Sequence, residues 1–172
     1  MTLEPATIGD LPALLELVER AFRGDSARKG WSHEADLLGG QRVDREGLES
    51  MIADPAQRVL LLRDGERLRG CVALADRGDG LSYLGLMTVD PTQQGTGLGR
   101  MILAAAEDRA RTDLGATRME MTVIAQRPEL VAWYERRGYS LTGERRPFPM
   151  DDPRFGLPKR DDLEFVVLEK AL

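Results

Sequence analysis

From Leu81 to Val89 the chain reads as a strand, and soon after its end Gly95, Gly97 and Gly99 stand at alternate positions. Leu98, Met101, Ile102 and Ala105 then repeat at helical spacing. A strand that runs through a glycine-rich turn directly into a helix leaves little freedom for what surrounds it. The helix opens with unpaired backbone N–H groups and the positive end of its dipole. The glycines remove the side chains that would stand in front of those groups. The unit is therefore a pocket for an anion, most naturally a phosphate or pyrophosphate.

The flanking sequence shows which sheet this unit joins. Thr7 and Asp10 form an imperfect capping box, Pro12 lies in the first helical turn, and Leu11, Leu14, Leu15, Val18 and Phe22 give a helix ending near Gly24. Residues 24–42 read as a loop with one helical turn, and 44–53 as a second helix closed by Asp54-Pro55. Val59–Leu62 and Gly70–Leu74 flank Asp64-Gly65 as a hairpin. A strand at 117–124 follows the glycine-loop helix, and Pro128 and Gly138 bound another helix. Two strands close the chain, near 139–142 and 162–169, around a proline-rich loop from Arg145 to Arg160. The order predicts a mixed α/β sheet in a single domain spanning 1–172, not a doubly wound one.

Two familiar phosphate sites fail against these residues. A P-loop ends in Gly-Lys-Ser/Thr, whereas this loop ends Leu98-Gly99-Arg100. A dinucleotide fold places its glycine turn in the first β-α unit, whereas here an antiparallel meander comes first. A tight connection without a ligand is the plain alternative. A second segment downstream weighs against it. Gln94-Gly95-Thr96-Gly97-Leu98-Gly99 resembles the Gln/Arg-x-x-Gly-x-Gly/Ala signature of the GNAT superfamily of N-acetyltransferases. Arg127 to Tyr139 resembles that superfamily's second segment, Asn-x-x-Ala-x-x-x-Tyr-Glu-x-x-Gly-Phe/Tyr. The resemblance is strong in these two segments and weak before residue 55.

The resemblance implies the GNAT-type fold, a mostly antiparallel sheet with one splayed parallel strand pair flanked by helices. It also implies acetyl-CoA as co-substrate. Backbone groups of Met87 and Val89 would meet the pantetheine arm, and N–H groups of Gln94, Gly95, Gly97, Leu98, Gly99 and Arg100 would cradle the pyrophosphate. Tyr134 aligns with the tyrosine that these enzymes often use as general acid toward the CoA sulfur; by periodicity alone it is a core aromatic sharing a face with Leu130. The chain departs from the pattern at Arg127, where asparagine is usual, and at Leu130, where alanine is usual. Arg127 then reaches a phosphate or an acidic acceptor, or solvates the helix start. Arg136 and Arg137 either help a CoA phosphate or solvate their helix.

The acceptor side is less legible. His33, the sole histidine, suits a general base by its pKa class, and Glu120 is a second candidate. By resemblance, Trp31, His33, Glu34 and Asp36 fall near the acceptor, where ring and carboxylates would hold a cationic amine or else anchor a solvated loop. The Arg145-Arg146-Pro147-Phe148-Pro149 loop points instead to an acidic or aromatic acceptor. Cys71 reads as core packing, and a lone cysteine forms neither an intramolecular disulfide nor a zinc cluster, so no metal is expected. A net charge of −5 argues against an extended nucleic-acid surface. No apolar run reaches membrane-span length and no signal-peptide pattern opens the chain, so a cytoplasmic location is expected. The expected protein is a monomeric or homodimeric N-acetyltransferase moving an acetyl group from acetyl-CoA to a primary amine of a small molecule. Acetylation of proteins or peptides, and a non-catalytic acyl-CoA sensor, are the alternatives.

Overall fold

The runs Val59–Leu62 and Cys71–Leu74 show no polar alternation because helices cover both faces of the sheet they build. A computed structural model of the chain describes residues 2–23, 28, 30, 31 and 33–172. In chain order its longer elements are β1 (Leu3–Pro5), α1 (Leu11–Phe22), β2 (Leu38–Gly39), α2 (Arg45–Ala53), β3 (Gln57–Asp64), β4 (Arg67–Asp76) and β5 (Leu81–Val89). They continue as α3 (Leu98–Leu114), β6 (Arg118–Ile124), α4 (Pro128–Glu135), β7 (Ser140–Pro147), β8 (Leu157–Pro158) and β9 (Glu164–Ala171). Leu60, Leu62, Val72 and Leu74 pack with Ile102, Leu103 and Ala106 of α3 on one face. Val59, Leu61, Cys71 and Ala73 pack with Leu11, Leu14 and Val18 of α1 and Leu48 of α2 on the other.

The main sheet runs β1-β3-β4-β5-β6-β9-β7, and a second sheet pairs β2 with β8. Every neighbouring pair in the main sheet is antiparallel except β5 and β6, which are parallel. This is the mixed, mostly antiparallel architecture expected, with its one parallel pair in the expected place. The parallel ladder covers only Leu81–Tyr83 against Arg118–Glu120, and beyond it the two strands part.

A bulge directs that parting. The register of β4 against β5 slips between Cys71 and Ala73, and Leu86 adopts a left-handed φ of 52°. For a branched side chain this costs roughly 1–2 kcal/mol. Its effect is visible in the packing. Leu84 joins the α3-side core, whereas Leu86, two residues later, joins the α1-side core. Alternation has flipped, so Met87 and Val89 now pack toward α3 and α4.

Three boundaries differ from the sequence expectation. The opening stretch forms β1 against Leu60–Leu62, too short to show periodicity. β7 extends to Pro147 through a register shift between Leu141 and Arg145. As an exposed edge strand rich in charge it carries no apolar alternation to announce it. Within the loops at 24–42 and 145–160, β2 and β8 pair and tie the two together. The first helix ends at Phe22 with Arg23 as its C-cap; Gly24, its expected terminator, lies outside the described residues.

Candidate functional site

The glycine loop needs its glycines for two different reasons. Gly95 and Gly97 have φ values of 82° and 91°, a region that other residues enter only with strain. A Cβ on Gly95 would meet nothing within 4 Å, so the space before it is open. Gly99 is already helical, and a Cβ there would touch Trp133, Val89 and Met87 at 3.5–3.8 Å. Gly97 is the N-cap of α3 and no described side chain caps that end, which leaves the first-turn N–H groups of Leu98, Gly99 and Arg100 open. No acidic residue lies in that turn.

Gly97, Gly99 and Arg100 line one wall of a cavity of about 380 Å³. Met87 and Val89, aimed here by the bulge, form its floor, while Trp133, Tyr134 and Arg137 of α4 and its C-terminal turn face them. Beyond Tyr83 the β6-facing edge of β5 has no ladder partner, so backbone donors and acceptors are available along it. The Gln94 side chain approaches the Val89 carbonyl at 3.5 Å. Arg137 stacks on the Trp133 ring at 3.5 Å and donates to the Trp133 carbonyl. Burial, Arg136 and Arg100 all push the Arg137 guanidinium below its ordinary pKa, which marks a cluster of positive charge at the cavity mouth. Open N–H groups, bare glycines and arginines together fit a pyrophosphate with further phosphate nearby.

A second cavity of about 390 Å³ lies across Tyr134, and the two share Phe22, Met87, Leu130 and Tyr134 in their walls. Tyr134 is buried, and its hydroxyl contacts the Met87 sulfur at 3.5 Å. Burial drives its phenol well above the ordinary value, so it holds its proton at any ordinary pH. The second cavity is mostly apolar, with Arg23, Arg42, Arg127 and Glu34 as its charged lining.

Glu34 sits among those arginines and is only 8% exposed. Arg23 Nη1 donates to its Oε2, Arg42 Nε lies 3.6 Å from the same oxygen, and Arg127 Nη1 lies 3.9 Å from Oε1. Burial pushes the Glu34 carboxyl up, but Arg42, Arg23 and Arg127 outweigh it and hold it below the ordinary carboxylate range. Such a carboxylate is a weak base and a poor partner for a further cation.

The structure thus gathers Met87, Val89, Gly95, Gly97, Gly99, Arg100 and Tyr134 around one space and moves several other residues. Trp31, expected on the acceptor side, instead lines the glycine-loop cavity. Its backbone N–H donates to Gln94 Oε1 at 2.8 Å, and its ring lies 6.3 Å from that of Trp133. His33 lines neither cavity; its Nδ1 accepts the Ala35 N–H at 3.2 Å. Asp36 pairs with Arg28 on the surface. Trp31, Glu34 and Asp36 therefore do not converge on one cation. Arg127 does not solvate its helix start either, for it is 3% exposed and faces the second cavity. Glu120 pairs with Arg146, and Arg145 with Glu164, which neutralises the basic loop, while Phe148 and Pro149 do line the second cavity. Nothing in the sequence marks Arg23, at the end of the first helix, or Arg42, in the irregular stretch before α2, as site residues. No group of three or more His, Cys, Asp or Glu placed to hold a metal occurs among the described residues, and no described helix is long and apolar enough to cross a membrane.

Comparisons with known proteins bear on the family and the fold. Residues 29–148 match the family model described as Acetyltransferase (GNAT) domain. The chain is 30% identical over 142 residues to an IAA acetyltransferase of Azospirillum brasilense, covering 81% of this chain and 84% of that protein. Among solved structures, a chimera of the Vibrio cholerae spermidine N-acetyltransferase SpeG with hSSAT superposes with a TM-score of 0.70 at 18% identity, covering 99% of this chain and 96% of that one. The ribosomal-protein-S18-alanine N-acetyltransferase of Escherichia coli gives 0.69 at 18% identity, covering 99% and 92%.

Proposed function

The chain belongs to the GNAT acetyltransferase family, and from that premise we propose that it moves an acetyl group from acetyl-CoA to the primary amine of a small molecule. One observation carries the reading: two cavities, one walled by bare amides and arginines and one mostly apolar, meet at the single phenol of Tyr134. When bound, acetyl-CoA supplies an activated thioester.

The residues of the chain divide the remaining work. First-turn N–H groups at Leu98, Gly99 and Arg100, with Gln94, Gly95 and Gly97, hold the pyrophosphate by charge-assisted hydrogen bonds. The unladdered edge of β5 at Met87 and Val89 takes the amide-bearing arm as if it were a strand. Tyr134 delivers its phenolic proton to the departing sulfur as the C–S bond breaks and the new N–C bond forms, and water reprotonates it. Burial suits it for this, because an acid that stays protonated is always ready. The proton on the attacking amine leaves to water, since Glu34, the one carboxylate among the described residues lining the second cavity, is already paired with arginine.

Saturating acetyl-CoA should raise the melting temperature, and thiol release should follow on adding a suitable amine. Stabilisation without thiol release across amines, amino acids and peptides would favour an acyl-CoA sensor. Release with peptides alone would favour a protein acetyltransferase. Absence of stabilisation would overturn the donor-site reading itself.

A further inference from the structure

Among the described residues, the second cavity is lined by more arginines than carboxylates. Of those residues, Arg23, Arg42 and Arg127 and the one carboxylate of Glu34 carry its charge. Glu19, just behind, accepts the backbone N–H groups of Arg42 and Val43 at 2.6 and 3.4 Å. Glu129 reaches Arg127 Nε at 3.3 Å from a half-exposed position, where water screens it. Arg127 Nη2 and Arg23 Nε are both buried without a hydrogen-bond partner among the described residues, although their side chains are only 3% and 4% exposed. A buried guanidinium donor left unsatisfied is costly, and an anion is the partner that satisfies it; Arg127 offers the Nη side of its fork, whereas Arg23, whose Nη1 and Nη2 donate to Glu34 and to the Phe155 carbonyl, offers Nε alone. Apart from Tyr83, Thr122 and Tyr134 the rest of the described wall is apolar, with Phe22, Phe148, Phe155 and Phe165 prominent.

We propose that the acceptor is an amine that also bears a carboxylate on an apolar body, as an apolar α-amino acid does, with the carboxylate held by Arg127 and Arg23. This deepens the acetyltransferase reading and rests on it. Arg127 and Tyr134 line the same cavity, so a carboxylate held at Arg127 leaves an α-amine close to the phenol. The phenyl groups take the side chain. A polyamine such as spermidine, in contrast, would bring its charges against three arginines.

The test compares leucine, methionine, phenylalanine and tryptophan with their decarboxylated amines, and with spermidine, by thiol release from acetyl-CoA on the wild-type protein. The carboxylate forms should have kcat/KM values roughly 10- to 100-fold higher, the effect of charge-assisted hydrogen bonds. Arg127→Gln should collapse that ratio toward one while leaving the Kd for acetyl-CoA unchanged by calorimetry. Equal or faster turnover of the decarboxylated amines or of spermidine would overturn the inference, as expected if the arginines hold only water, and would leave the acetyltransferase reading standing. Should no amine be turned over, binding decides. N-acetylphenylalanine binding at least ten-fold tighter than N-acetylphenethylamine would sustain the carboxylate site and defeat the enzyme reading; equal binding would defeat both.

Discussion

Replacing Gly97 by alanine and replacing Gly99 by alanine should move stability in opposite directions, although only Leu98 separates the two sites. At Gly97 the backbone has φ 91°, where a Cβ is strained by about 1–2 kcal/mol. Restriction of the unfolded chain offsets only about 0.4–1 kcal/mol of this. At Gly99 the backbone is helical and the added methyl would find Trp133, Val89 and Met87 at 3.5–3.8 Å, ordinary contact distance. There the unfolded-state effect acts unopposed, and helix propensity adds to it. A chain of this size changes its melting temperature by roughly 2–4 °C per kcal/mol. Gly97→Ala should therefore melt a few degrees lower than wild type, and Gly99→Ala one to a few degrees higher (about 0.5–1 kcal/mol). Thermal and urea unfolding without ligand read this directly. The Gly99 methyl also intrudes on the glycine-loop cavity, so calorimetry should show weaker acetyl-CoA binding by the more stable variant. Two shifts of the same sign would refute the assignment of one glycine to backbone conformation and the other to close approach.

Other perturbations probe the interior. Tyr134→Phe should lower kcat about 10²–10⁴-fold, the range for loss of a general acid, with the Kd for acetyl-CoA unaltered. Wild-type kcat should show no falling limb at the ordinary phenol value near 10, because burial raises the Tyr134 pKa. Glu34→Gln leaves buried guanidinium groups unpaired and should destabilise by about 3–5 kcal/mol. Since the folded Glu34 carboxyl titrates below its ordinary value, its contribution is complete above the unfolded value of about 4.3 and is lost as pH falls through the folded one. The difference in melting temperature between wild type and Glu34→Gln should accordingly shrink in acid, and a constant difference would contradict the ion set. Burial pushes the Cys71 thiol up to about 12, so a thiol reagent at neutral pH should label it only after unfolding. Prompt labelling of the folded protein would show that the α1-side core is open.

The sequence determined the secondary structure around the glycine loop because the signals there are local. The run between Gly80 and Asp90-Pro91 marks β5, closely spaced glycines mark the turn, and a 3.6-residue stripe marks α3, each within a few residues. Pro128 and Gly138 bracket α4 in the same local way, but periodicity there gives Tyr134 only as a core aromatic; the resemblance of the Arg127–Tyr139 segment to the GNAT pattern is what singled it out. Covered sheets also declare themselves, since a strand buried on both faces is apolar throughout, as Val59–Leu62 is.

Tertiary structure alone decided where charge sits. Whether Glu34 faces solvent, a cationic amine or three arginines depends on Arg23 at the end of α1, Arg42 before α2 and Arg127 before α4. Their convergence follows from how helices cross the sheet, and no spacing along the chain encodes it. Trp31 illustrates the same point, for a hydrogen bond to Gln94, far along the sequence, sets it on the glycine-loop side. The bulge at Leu86 belongs here as well. A leucine gives no local sign of a left-handed φ, yet that residue reverses the facing of β5 and aims Met87 and Val89 at the cavity. Short-range periodicity can be read from a single chain, whereas long-range electrostatic pairing and strain carried by the surrounding packing exist only once the chain has folded.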